Sequence, residues 1–155
     1  MNQLKPHKTF TLLAVLSLLP LVFALGLALY QAFDVAAYTG ISFSFARINS
    51  YIYAHSYGAL LLVFFAGIQI GQALQNANRW LLIFNFMLLG LAWLSFHSFA
   101  DAQGVILLLS CWLAALLIDF KAKQNAIIPA WYGRLKIKIN VVVIVLLLIL
   151  IMING

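Results

Sequence analysis

Between Thr9 and Phe33 the chain runs for 25 residues without a charged side chain. A helix needs about 20 apolar residues to cross a hydrocarbon layer of roughly 30 Å, so this run confines the chain either to a bilayer or to the centre of a large core. Composition decides between the two. Apolar residues make up 66% of the 155, charged residues 8%, and Glu is absent, whereas soluble domains carry roughly 25% charged residues. Too little charge remains to cover a water-facing surface. The chain therefore reads as an integral, all-α membrane protein, because a helix satisfies its backbone polar groups within one apolar segment. Lys5 and Lys8 ahead of the run resemble the start of a signal peptide. The run is longer than a signal core of about 7–15 residues, however, and lacks a small-residue cleavage site, so it reads as a retained first span.

Four more segments approach the required length: Tyr51–Leu74, Trp80–His97, Gln103–Ile118 and Ile137–Ile153. The expectation is one domain, residues 1–155, folded as a five-helix transmembrane bundle with spans at about 9–33, 51–74, 80–97, 103–118 and 137–153. The last three spans are short and borrow length from Phe99, Ala100 and Trp131, while Lys136 and Lys138 snorkel to the headgroups. With five spans, one side holds the N-terminus, the Asn76–Arg79 connection and the Asp119–Lys136 connection. That side collects Lys5, Lys8, Arg79, Lys121, Lys123, Arg134, Lys136 and Lys138, eight of the nine basic residues, and the other side has only Arg47. The excess of Lys and Arg in cytoplasmic loops then predicts a cytoplasmic N-terminus and a periplasmic C-terminus. It also accounts for the net charge of +6 without a nucleic-acid partner.

Local signals agree. Asn76-Ala-Asn78 and Asp101-Ala-Gln-Gly104 read as tight connections between antiparallel neighbours. Pro129 opens the last helix, and Pro20 kinks the first span and frees a backbone carbonyl. Small residues let helices approach in lipid: Ala24, Ala28 and Ala32 on the first span, and Gly58, Gly67 and Gly71 with Ala66 and Ala73 on the second. These two helices are expected to pack within one chain, or to pair two copies through Gly67 and Gly71. The last helix, Val141 to Ile153, has no small residue and reads as facing lipid or a partner.

Polar residues inside a membrane are the default places to look for function. His55 and His97 lie near the outer ends of neighbouring spans, with Asp34 and Asp101 on the same face. They are candidate haem or metal ligands, against the plainer reading of side chains wetted by headgroups. Gln69, Gln72, Asn85 and Asn140 recur at one depth near the inner end, as a small polar pocket or as interhelical hydrogen bonds of roughly 0.6–2 kcal/mol each. Ser17, Ser95, Ser110 and Cys111 have no base placed beside them by sequence, and a single cysteine forms no CxxC motif. No catalytic residue, metal site or cofactor is expected. Lys121, Lys123, Pro129, Trp131, Tyr132, Arg134, Lys136 and Lys138 form a basic, aromatic rim. It suits an anionic cytoplasmic leaflet at on the order of 1 kcal/mol per basic residue, or the acidic edge of a partner.

The run Pro129-Ala-Trp-Tyr-Gly-Arg-Leu-Lys136 before the last apolar helix, with Phe65-Ala-Gly-Ile-Gln-Ile-Gly71 in the second span, resembles an uncharacterised family of small proteobacterial inner-membrane proteins. That family is related to the animal mitochondrial transmembrane protein 69 type. Its pattern places His-Trp between the two glycines where this chain has Gln69-Ile70, so the resemblance brings no such histidine here. It implies a multi-pass protein of the bacterial inner membrane and no established activity. The functional expectation is a non-enzymatic accessory or envelope-homeostasis protein bound to a larger complex, such as an efflux transporter or a respiratory complex. The alternatives are a small dimeric transporter or channel, and a haem- or quinone-associated redox subunit.

Overall fold

The computed structural model describes residues 6–35, 38, 49–98 and 102–154. Six helices account for nearly all of them: α1 (Pro6–Leu16), α2 (Leu19–Ala32), α3 (Ser50–Gln75), α4 (Arg79–Ser98), α5 (Ala102–Gln124) and α6 (Ala130–Asn154). There is no strand among the described residues. Four segments are long and apolar enough to cross a membrane: Lys8–Ala32, which takes in α1 and α2, then Ser50–Gln75, Gln103–Gln124 and Ala130–Ile153. A fifth apolar stretch, Arg79–Ser95, is shorter. Each of the four buries only 28–44% of its most apolar window inside the bundle. The outward faces carry residues such as Leu12, Leu60, Phe86, Leu117 and Met152, and lipid, not water, is the solvent that such faces tolerate.

The break in the first span lies where Pro20 demands it. Proline has no N–H to donate and crowds the carbonyl one turn back, so α1 stops at Leu16 and α2 restarts at Leu19. The hydroxyl of Ser17 closes onto Ala14 O at 2.7 Å. Tyr57 on α3 donates its hydroxyl to the Ser17 carbonyl at 2.7 Å, so a carbonyl released by the break is satisfied by the neighbouring helix.

Each later helix packs on its predecessor, and α6 closes the ring against α2, with α3 also meeting α5 across the bundle. Ala24 and Ala28 are buried in this core and Ala32 is exposed. Gly58 is buried as well, and a Cβ there would lie 2.9 Å from Leu108 Cδ2, so the glycine lets α5 approach α3. Gly67 and Gly71 differ from the intrachain expectation: both are exposed, and a Cβ at either would meet nothing within 4 Å. The last helix is also less simple than an all-apolar ridge. Ile139, Val143, Leu147 and Leu150 are buried in the core, while Val141, Val145, Leu148 and Met152 face outward.

Two turns meet at one end of the bundle. Asn76 Nδ2 donates to Ile127 O at 3.3 Å, joining the α3–α4 and α5–α6 connections. Phe10 of α1 packs at the same end edge-on against Trp131 and tilted against Tyr132, with ring centroids 6.0 and 5.9 Å apart. Asn78 caps α4 by accepting from Leu81 N at 3.1 Å. At this end α5 runs past its expected span, to Gln124 instead of Ile118, while α6 begins at Ala130, directly after the Pro129 expected to open it. Asp119, expected in a connection, therefore stands on a helix, as does Lys136.

Candidate functional site

Gln69, Asp119 and Lys136 lie five or six residues in from the ends of α3, α5 and α6 at this end of the bundle, a depth of about 8–9 Å at 1.5 Å per residue. Lys136 Nζ is 2.9 Å from Asp119 Oδ1. Both residues are buried, at 2% and 0% exposure. Gln69 Nε2 also donates to Oδ1, and Asn140 Nδ2 donates to Oδ2 at 2.6 Å. One carboxylate thus ties together three helices. Helical spacing lines up the contributors: Tyr132, Lys136 and Asn140 recur every four residues on α6, and buried Ala115 and Ala122 flank Asp119 on its own face of α5.

The orientation of the carboxamides follows from charge. An ionised carboxylate is acceptor-only, so Gln69 and Asn140 turn their NH2 groups toward it and their oxygens away. Those oxygens, Gln69 Oε1 and Asn140 Oδ1, are buried without a hydrogen-bond partner, as are Asn85 Oδ1 and the Tyr132 hydroxyl nearby in sequence register. Asn85 Nδ2 is taken up by Leu81 O at 2.7 Å. An unsatisfied buried polar group costs about 1–3 kcal/mol, and a charge taken out of water costs several kcal/mol. This node is therefore the most expensive part of the described bundle.

Hydrophobic layers enclose it. On the inner side lies the main core, with Phe65, Trp112, Ala115 and Val143. Toward the bundle end a separate cluster of Ala73, Leu81, Ala122, Ile128 and Tyr132, with Phe10 packed against it, forms a plug about one turn thick. The grooves on the outward face of α3 are elsewhere, one of about 380 Å³ between Asn49 and Leu60 near the opposite end.

The other expected sites fare differently. His55 is buried and its Nε2 lies 3.1 Å from Ser95 Oγ, a link between α3 and α4. Asp34 is exposed after α2 with φ of 46°. Asp101, Lys5, Arg47 and the side chain of His97 lie outside the described residues. Among the described residues no three His, Cys, Asp or Glu side chains gather as a metal site. Of the expected rim, Lys121, Pro129, Trp131, Arg134 and Lys138 are exposed and Lys123 is half-buried. Lys121 sits over the Trp80 ring at 5.4 Å. Tyr132 and Lys136 are corrections: both turn inward, because Asp119 faces Lys136 across the α5–α6 pair and the ammonium is satisfied without reaching the headgroups. Sequence reasoning found Gln69 and Asn140 as polar residues at one depth but missed Asp119 as their shared partner. The available signal was its oddity, the one acidic residue on a side that holds eight basic ones.

Fold and site together define a multi-pass helical membrane protein built around a buried ion pair. No family model, curated protein or solved structure matches the chain.

Proposed function

We propose that this chain is a five-span protein of the bacterial inner membrane, N-terminus in the cytoplasm, and that it moves a small cation across that membrane with Asp119 as the binding carboxylate. The inner-membrane assignment rests on the family resemblance, and the orientation on the basic residues gathered at the node end. The transport reading rests on one observation, the buried Asp119–Lys136 pair held by Gln69 and Asn140. Ionisable residues inside a membrane are costly and mark ion pathways. Apolar side chains of similar volume hold helices together as well as or better than a buried ion pair, so helix fastening alone is a poor account of this one.

The test is reconstitution into proteoliposomes under an imposed membrane potential, following protons with an internal pH dye and Na+ and Rb+ as tracers. Wild type should carry at least one of these ions, and Asp119→Asn should abolish that flux. Equal leakage through wild type, variant and empty vesicles would sink the proposal.

The accessory reading retains one specific support, the exposed part of the rim: Lys121, Arg134 and Lys138 around Trp131. Docking on a larger inner-membrane complex predicts that neutralising these three residues releases a co-purifying partner. Unchanged association in native lipid particles would remove it.

A further inference from the structure

We propose that the node is a binding site for a monovalent metal cation and that the Lys136 ammonium is its tethered competitor. This rests on the transport reading and names its substrate class. Three features carry it. First, Asp119 is a single carboxylate, and the side chains hydrogen-bonded to it besides Lys136 are neutral carboxamides. One negative charge in an apolar bundle balances one positive charge. A divalent ion would leave a net charge in low dielectric.

Second, the carboxamides at the carboxylate are two-faced. With an ammonium on Asp119 they present NH2 and hold Oε1 and Oδ1 buried and unpartnered. The last torsion of Gln and Asn is broad and roughly two-fold, so half a turn replaces each NH2 by its oxygen without moving the helix. A metal cation on Asp119 then meets the carboxylate with Gln69 Oε1 and Asn140 Oδ1. The atoms that are orphaned in the lysine-occupied arrangement are the ligands that a metal cation needs.

Third, Lys136 has somewhere to go. Side chains on a helix lean toward its N-terminus, and α6 begins six residues earlier at the end that carries the rim. The four-carbon stem can swing the ammonium off Asp119 along α6 toward that end, past the plug residue Tyr132. A cation entering and an ammonium leaving exchange one positive charge for another, so Asp119 is never left uncompensated. No bond is made or broken and no proton is transferred.

The competition has a measurable signature. Apparent affinity falls by the fraction of time the site is unavailable, so removing the tethered ammonium must tighten binding. Equilibrium binding of 22Na+ and 86Rb+ to purified full-length protein in lipid nanodiscs is the assay. Lys136→Gln should bind one cation per chain about tenfold or more tightly than wild type, and Asp119→Asn should bind none. A second measurement covers the case in which Lys136→Gln does not fold. Stabilisation by a ligand follows its occupancy, so the unfolding temperature of wild type should rise with NaCl or KCl above its value in choline chloride of equal ionic strength. Asp119→Asn should abolish that difference.

Absence of both saturable binding and any cation-specific stabilisation overturns the inference. If protons still cross reconstituted membranes in an Asp119-dependent way, the transport reading survives that loss. Binding without flux in the vesicles leaves the site standing and removes transport. Binding that is no tighter in folded Lys136→Gln than in wild type overturns the competitor role.

Discussion

Asp119 accepts from one ammonium and two carboxamides, so its neighbours cannot be changed independently. Removing one member of a buried pair strands the other charge, at a cost of about 3–5 kcal/mol, whereas replacing both often costs little. Lys136→Met and Asp119→Leu should each lower the unfolding midpoint in detergent strongly, and the double variant should recover most of the loss. A double variant as unstable as the two single losses added together would show that the residues do not act as a pair. The glycines offer a contrasting set. Gly67→Ala and Gly71→Ala, with open space at Cβ, should be neutral or slightly stabilising, because Ala is the better helix former by about 1 kcal/mol. Gly58→Ile should destabilise, since Leu108 already stands where its Cβ would go and a β-branched side chain has few ways around it. Thermal melts of the three variants check this order.

At the scale of elements, α3 and α5 end in the same way, and the ending of α5 explains why its span boundary was hard to read. Asn78 N reaches back to Ala73 O at 2.8 Å and Ala77 N to Leu74 O at 3.3 Å, while Ile127 N and Ala126 N repeat the pattern on Ala122 O and Lys123 O at 3.0 and 3.1 Å. Both are Schellman endings, in which the residue just past the helix takes a left-handed conformation and is usually glycine. Here alanine takes it, with φ of 48° at Ala77 and 52° at Ala126. Without a glycine or proline to mark the stop, charge was the remaining boundary cue, and it placed the end of α5 at Ile118, one residue before Asp119. Ala126→Gly should relieve the left-handed strain and raise stability by about 1 kcal/mol, read as a shift in the denaturation midpoint. A loss of stability would mean that this turn is not left-handed. The Asn76-Ala-Asn78 turn and the break at Pro20 were legible because Asn and Pro act through their own backbone chemistry.

For the whole molecule, the structure brings the α3–α4 turn, the α5–α6 turn and the start of α1 to one end. This is the grouping that the alternation of basic residues requires. Orientation is testable with single cysteines, because the native Cys111 is buried and gives little background. A membrane-impermeant maleimide applied to intact cells should label Tyr38→Cys and spare Ala77→Cys and Ala126→Cys until the cells are opened. Labelling of the latter two from outside would invert the topology and move the node to the opposite membrane face.

Apolar run length and the uneven placement of Lys and Arg determined, from sequence alone, that this chain is helical, belongs in lipid and crosses it several times. Both are one-dimensional quantities, set by hydrocarbon thickness and loop charge, and neither depends on which helix meets which. The Asp119–Lys136 node is of another kind. Its members stand on α3, α5 and α6, and a lysine 17 positions after an aspartate is indistinguishable in sequence from two headgroup contacts. Only the packing of those helices decides that each charge faces the other. That pairing lets both charges stay buried and leaves the carboxamide oxygens of Gln69 and Asn140 without a partner.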